Sequence, residues 1–234
     1  MTGELAMEIT HYGHACVHVE IPGPDGAPRR VLFDPGAYSQ GFEGLRDLDL
    51  ILITHPHPDH LDVGRFSQLV ADNPKAELVL GRQSAEALAQ AGQESIVSRP
   101  GSHIVASGDK VSRGGVDVRV IGGEHACIHS ALPSSENLGF VLDGGLLHPG
   151  DAFDDPGQPI EILLLPIGGP WMKIGEGIDY LRAVAPKVAI PIHQAGLAQV
   201  HQAMHCGLLK NLAPSGTEVV VLEHGTPQSF SRPR

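Results

Sequence analysis

The chain has 234 residues, of which 41% are hydrophobic and 18% charged, and a formal net charge of −11. That length fits one large domain or two small ones. The acidic balance excludes long nucleic acids and anionic membranes as partners, because phosphate binding needs clustered Lys and Arg.

No apolar run approaches the roughly 20 residues of a membrane span, and "MTGELAMEIT" lacks the pattern of a secretion leader. Cys16, Cys127 and Cys206 are scattered and odd in number, which is no disulfide framework; a cytoplasmic setting is expected.

In chain order, "MEITHYGHACVHVE" alternates as strand, and "IPGPDGAPRR" is dense in turn residues. "RVLFDPG" returns as a strand closed by Asp-Pro-Gly. "LDLILITH" is a continuous apolar run, as in a strand buried on both faces. Asp62 to Asp72 reads as a helix with Val63, Phe66, Leu69 and Val70 at helical spacing. "AELVL" is a strand, and Ser84 is placed to cap the helix "AEALAQA".

The second half repeats the alternation. "VDVRVIGG" has period-two valines, and "LGFVLDGGLLHPGD" reads as a hairpin with a Gly-Gly turn and a rigid Pro-Gly corner. "IEILLLP" and "KVAIPIH" are strands flanking a helix through Ile178, Leu181 and Val184. Leu197, Val200, Met204 and Leu208 make an apolar stripe on a late helix, and "TEVVVLEHG" closes as a strand. With no linker and no short-period repeat, one domain spanning 1–234 is expected, with two sheets inside helical layers.

Chemistry concentrates in "THPHPDHLD", which sets His55, His57, Asp59 and His60 at the end of a buried strand, separated by prolines. In extended backbone, residues two apart point the same way, so His55 and His57 can converge on one ion. Pro56 and Pro58 fix φ near −65° and lower the entropy cost of that geometry. Asp59 and His60 follow the turn and aim at a second position close by. Imidazole and carboxylate suit zinc. Further candidates recur at strand ends: His125 in "GGEHA", Asp151 in "HPGDAF" and His193 in "AIPIHQ".

These motifs resemble the metallo-β-lactamase superfamily, whose central pattern is His-x-His-x-Asp-His followed by separate His, Asp and His residues. The chain is most similar to the lactonase-like branch that includes ascorbate-6-phosphate lactonases. "GHACVHVE", "LFDPG", "LLLPIGGP" and "AIPIH" extend the match over almost the whole chain, in order. The resemblance implies an α/β fold arranged as a four-layer αββα sandwich, with metals at one edge between the sheets. It implies His55, His57 and His125 on one ion, Asp59, His60 and His193 on a second, and Asp151 bridging both. Two zinc ions are expected, with manganese or iron as alternatives, about 3.5–4 Å apart with a hydroxide between them. Asp59 is the expected proton acceptor.

The implied activity is hydrolysis of an ester, lactone, amide or phosphoester of a small molecule. The alternatives are a small-molecule phosphodiesterase of the same superfamily, or a non-catalytic metal-binding or sensing protein on this scaffold. Ala152 stands where many relatives carry Thr, and no basic cluster is ready for a phosphate.

Other residues keep two readings. His14 is a site residue or a hydrogen-bonded core histidine. Asp34 orients a ligand histidine or forms a turn before Pro35. His201 and His205, four apart, read as a solvated helix face. His148 is placed in the cavity wall, Trp171 in a Gly-rich loop at the pocket, and Cys127 as a small buried residue. Between His125 and His129, four extended residues span about 13 Å, so both cannot reach one ion. His125, directly after a strand, is the expected ligand, and His129 the wall residue that touches substrate.

Overall fold

The computed structural model describes residues 6–23, 25–113, 116–142 and 145–231. Its strands are β1 (Ala6–His11), β2 (Val17–Pro22), β3 (Pro28–Phe33), β4 (Leu50–Ile53), β5 (Glu77–Leu80), β6 (Ser102–Ile104) and β7 (Lys110–Arg113), then β8 (Val116–Gly122), β9 (Leu138–Leu142), β10 (Leu146–His148), β11 (Ile162–Pro166), β12 (Val188–Ile192), β13 (Glu218–Val219) and β14 (Gln228–Ser231). The helices are α1 (Val63–Asp72), α2 (Arg82–Gln90), α3 (Glu94–Val97), α4 (Ile174–Val184) and α5 (Gln199–Leu212).

Two seven-stranded sheets form, in the orders β14-β1-β2-β3-β4-β5-β6 and β13-β12-β11-β10-β9-β8-β7. Each mixes antiparallel pairs with parallel strands, among them β4 and β5 joined through α1 and β11 and β12 joined through α4. Strands of both sheets share one core, in which Phe33, Leu52 and Val79 meet Phe140, Leu164 and Ile190. The outer face of the first sheet packs Ile51, Ile53 and Leu80 against Phe66 and Leu69 of α1 and Leu88 of α2. The outer face of the second packs Leu163 and Leu165 against Leu181 of α4 and Leu209 of α5. Helix, sheet, sheet, helix is the layering expected from sequence. β4 and β11 are buried at every residue because apolar side chains meet a layer on each face.

Some expectations need correction. α2 begins two residues before Ser84, which is buried within the helix; Gly81 is the N-cap residue. The carboxylate of Glu136, far along the chain, instead accepts the Gln83 backbone N–H at 3.0 Å. The late apolar stripe is only partly covered: Leu197 packs against the core, Val200 is 71% and Met204 48% exposed, and Leu209 is the residue that α5 buries. Only Glu218–Val219 of "TEVVVLEHG" is strand, while an unanticipated strand, β14, pairs with β1. β9 and β10 do form a hairpin, but Asp143 and Gly144 of its turn lie outside the described residues.

Candidate metal centre

Loops at one end of both sheets carry the candidate ligands. After β4 the chain turns tightly: His57 O accepts both His60 N–H and Leu61 N–H at 2.9 Å, which folds His60 back beside His55. Gly36 permits this packing, since a Cβ there would stand 1.8 Å from Asp59 O. The two sheets are stitched together at this end. Leu138 N–H donates to Thr54 O at 2.8 Å, and His193 N–H to His14 O at 2.8 Å. Asn137, fully buried, accepts Asp151 N–H on its side-chain oxygen at 2.8 Å and donates to Pro149 O at 3.0 Å.

His14, Asp34 and His193 adopt positive φ without being glycine. Such strained conformations persist where surrounding contacts hold them, and they gather at functional sites.

The histidine tautomers follow from their partners. Asp34, with no solvent exposure, accepts Thr54 N–H on Oδ1 at 2.8 Å. Its Oδ2 accepts the Thr54 hydroxyl and His60 Nδ1–H, both at 2.7 Å. Having given its proton to Asp34, the Thr54 hydroxyl accepts His55 Nδ1–H at 3.0 Å. His125 Nδ1–H donates to Ala126 O at 2.6 Å, and His193 Nδ1–H donates to Gly168 O. In the neutral form of all four rings Nε2 is therefore left as a lone pair. Asp34 thus orients a ligand candidate and also turns the chain, accepting Gly36 N–H on its carbonyl at 2.8 Å.

Those lone pairs converge. Asp151 Oδ1 lies 3.1 Å from Nε2 of both His60 and His193, which are themselves 3.1 Å apart. Asp59 Oδ2 is 3.6 Å from His193 Nε2 and 4.0 Å from His60 Nε2. On the other side, Asp151 Oδ2 lies 3.4 Å from His125 Nε2. His55, His57 and His125 hold ligand atoms within 4.8 Å of one another. His55 Nε2, His125 Nε2 and Asp151 Oδ1 are buried without a hydrogen-bond partner. Lone pairs packed together in a dry site repel unless a cation stands among them. The residues present therefore fit a pair of divalent cations, with Asp151 turning one oxygen to each group.

The ionisation pattern differs across the site. Burial pushes His55 well below the ordinary imidazole value, aided by His60. Burial opposes charge on His60 too, but the carboxylates of Asp151 and Asp34 overcome it and raise His60 well above that value. Asp151 goes well below the carboxylate range: burial would raise it, and His60 and His193 outweigh that. The carboxylates of Asp151 and Asp34 draw positive charge to His60, while burial disfavours a proton on His55.

His14 joins this group as a donor. Its Nδ1 accepts Ala195 N–H at 3.3 Å, so Nε2 carries the proton and gives it to Asp59 Oδ2 at 2.9 Å. Burial would raise Asp59, but the His14 hydrogen bond and the His60 charge hold it at about 2. Asp59 is therefore anionic throughout the neutral range, the form in which a carboxylate can accept a proton.

Three other placements differ from expectation. His148 does not line the cavity; it is fully buried, donates from Nε2 to Ala15 O at 2.9 Å, and accepts Gly150 N–H on Nδ1 at 3.2 Å. Cys127 is exposed rather than buried. Trp171, 8% exposed, stands behind Asp151 and donates its indole N–H to Oδ2 at 2.7 Å. His205 donates to Ile167 O at 2.7 Å, and neither it nor His201 joins a ligand cluster among the described residues. His129 falls in the wall of the adjoining cavity. Sequence reasoning missed Asn137, whose only signal was its position just before β9.

Residues 8–193 match the model of a β-lactamase superfamily domain. The chain belongs to that superfamily. It is 41% identical over 219 residues to Protein Rv0786c of Mycobacterium tuberculosis, covering 92% of this chain and 96% of the relative. It is 28% identical to the UPF0173 metal-dependent hydrolase Ta0764 of Thermoplasma acidophilum, over 80% and 83% of the two chains. In fold it resembles Igni18, a metallo hydrolase from Ignicoccus hospitalis, with a TM-score of 0.70 and 21% identity over 97% and 100% of the two chains.

Proposed function

We propose that the protein is a single-domain, metal-dependent hydrolase of a small molecule, with two zinc ions as its cofactor. His55, His57 and His125 would hold one ion, Asp59, His60 and His193 the other, and Asp151 would serve both. The observation that carries this reading is the convergence of bare Nε2 lone pairs on the two oxygens of one buried carboxylate. Five imidazoles and two carboxylates, with no thiolate among them, suit zinc. Bound in pairs, such cations supply an activated water and positive charge for a developing oxyanion.

The chain's own residues do the positioning. Asp34 and Thr54 fix the rings of His55 and His60, and the Gly168 carbonyl fixes His193. Asp59, anionic and held by His14, is placed to accept a hydrogen bond from a water entering the site and to orient its attack. Water adds to the substrate carbonyl or phosphorus, the bond to the leaving oxygen or nitrogen breaks, and the leaving group departs with a proton. The lactonase-like branch is the reading we favour for the substrate bond. Three free cysteines suit a cytoplasmic setting, and no helix among the described residues could cross a membrane.

The test joins metal content to turnover. Protein purified without chelator should hold about two zinc ions per chain and hydrolyse members of a panel of lactones, esters, amides and phosphodiesters. Chelation should abolish turnover and zinc should restore it. Full turnover by metal-free protein would refute the reading.

A further inference from the structure

Beside the candidate metal centre is a cavity of about 450 Å³, whose lining includes His57 and His125. Its wall is the segment 124–135, which leaves β8 and carries no regular structure. The segment is nevertheless built into the fold. His125 N–H donates to Ser135 O at 2.9 Å, and Leu132 N–H donates to His129 O at 2.9 Å. Just beyond it, Glu136 is clamped to α2: its N–H donates to Gln83 Oε1 at 2.9 Å, and its carboxylate accepts Gln83 N–H.

This wall holds large apolar side chains where a core does not need them. Ile128 is 39% and Leu132 56% exposed, and Pro133 and Ala126 line the same space. Leaving such surface wet costs free energy that a ligand can recover. The lining includes no Lys or Arg, and its one carboxylate is that of Glu124. With the chain at −11, a phosphate or sulfate on the non-reacting part of a substrate would meet repulsion and no Lys or Arg partner. The polar groups present, among them His129 and Ser130, are hydrogen-bonding groups of the kind that accompany an uncharged ligand. His129 accepts Ala131 N–H on Nδ1 at 3.1 Å, so its Nε2–H is a donor.

We propose that this cavity takes the uncharged, apolar acyl portion of a carboxylic ester or lactone, and that Ile128 and Leu132 set the preference for acyl length. The proposal rests on the hydrolase reading above and narrows it to carbonyl substrates without a phosphate.

The experiment uses the full chain loaded with zinc, and p-nitrophenyl acetate, butanoate and octanoate beside p-nitrophenyl phosphate and bis(p-nitrophenyl) phosphate. kcat/KM should rise about two- to fourfold per added methylene, with both phosphates far slower than octanoate. Leu132→Asp and Ile128→Asp should each flatten that rise without changing zinc content. Octanamide, uncharged and slow to hydrolyse, should bind by calorimetry, and about tenfold more weakly to Leu132→Asp. Turnover of acetate with a flat length profile, or a preference for either phosphate, would overturn the proposal and leave the hydrolase reading intact. If no ester or phosphate is turned over, the hydrolase reading passes to the lactones and amides of the panel above, and octanamide binding still decides whether the cavity is an apolar-chain site.

Discussion

The indole N–H of Trp171 donates to Oδ2 of Asp151 across 2.7 Å, in a site where both side chains are nearly dry. This bond removes one lone pair of the carboxylate that faces both histidine groups, and it fixes the plane in which Oδ1 meets His60 and His193. A hydrogen bond to a buried charge contributes about 1.5–3 kcal/mol, and groups that orient ligands tune affinity about 10–100-fold. Trp171→Phe keeps the ring against Phe153 and deletes the donor. Zinc affinity by chelator competition should fall about 10–100-fold. Trp171 is also the single tryptophan of the chain, so wild-type fluorescence should shift when metal is removed. Unchanged affinity in Trp171→Phe would show that Asp151 is held by other contacts.

Removing Asp151 should act on both metal positions, since its two oxygens face different histidine groups. Asp151→Ala should lose turnover and more than one equivalent of zinc. His193→Ala should lose about one. Elemental analysis after dialysis separates the two outcomes, and equal losses would contradict a shared carboxylate.

His125 and His129 give a cleaner contrast. His125 Nε2 is buried without a partner next to Asp151, whereas His129 is exposed in the cavity wall. His125→Ala should lose metal and activity together. His129→Ala should keep its metal and mainly raise the Michaelis constant.

Acid stability depends on histidines that are buried neutral. Burial holds His11 at about 4, against the hydrogen bond it donates to His14 O and with help from nearby His224. A lowered folded value means that the unfolded chain binds the proton first as the pH falls. The associated stability is fully present above about 6.5, the ordinary value, and is lost towards pH 4, where the loss reaches about 3 kcal/mol. Urea unfolding of chelated protein should find that His11→Gln costs less at pH 4 than at pH 7, by about that amount. An equal cost at both pH values would mean that His11 takes up its proton in the folded state.

Much of this was legible because it lies in one short stretch or at strand ends. "THPHPDH" and the apolar run before it specify both position and chemistry, since residue types with few other uses follow a strand with no polar face. Residues that act through partners distant in sequence were harder to read. Thr54 matters because its hydroxyl links Asp34 to His55, 20 residues and one residue away. Trp171 and Asn137 reach Asp151 across 20 and 14 residues, and no local pattern announces either. The exposed face of α5 shows the converse failure. Helical spacing of Val200 and Met204 says that they share a face, but not that another layer covers it.

His14 raises the sharpest remaining question, because it stands within reach of Asp59, His60 and His193 and could be counted as a fourth ligand. Its hydrogen bonds argue otherwise. A metal ligand needs a lone pair on the nitrogen that faces the ion, and a neutral imidazole has only one. In His14 that lone pair is on Nδ1, where it accepts Ala195 N–H, and the proton on Nε2 is directed to Asp59. Burial also lowers its affinity for a second proton, to about 4, so it stays a neutral donor at pH 7. Its work is to hold one oxygen of Asp59 and leave the other free. His14→Gln should therefore keep about two zinc ions per chain while kcat falls by about 10–100-fold, the range expected when an orienting partner is lost. His14→Ala should lose at least as much activity, again with metal retained. Loss of one zinc ion per chain from His14→Gln would make His14 a ligand and require the opposite tautomer, with Ala195 N–H left to another acceptor.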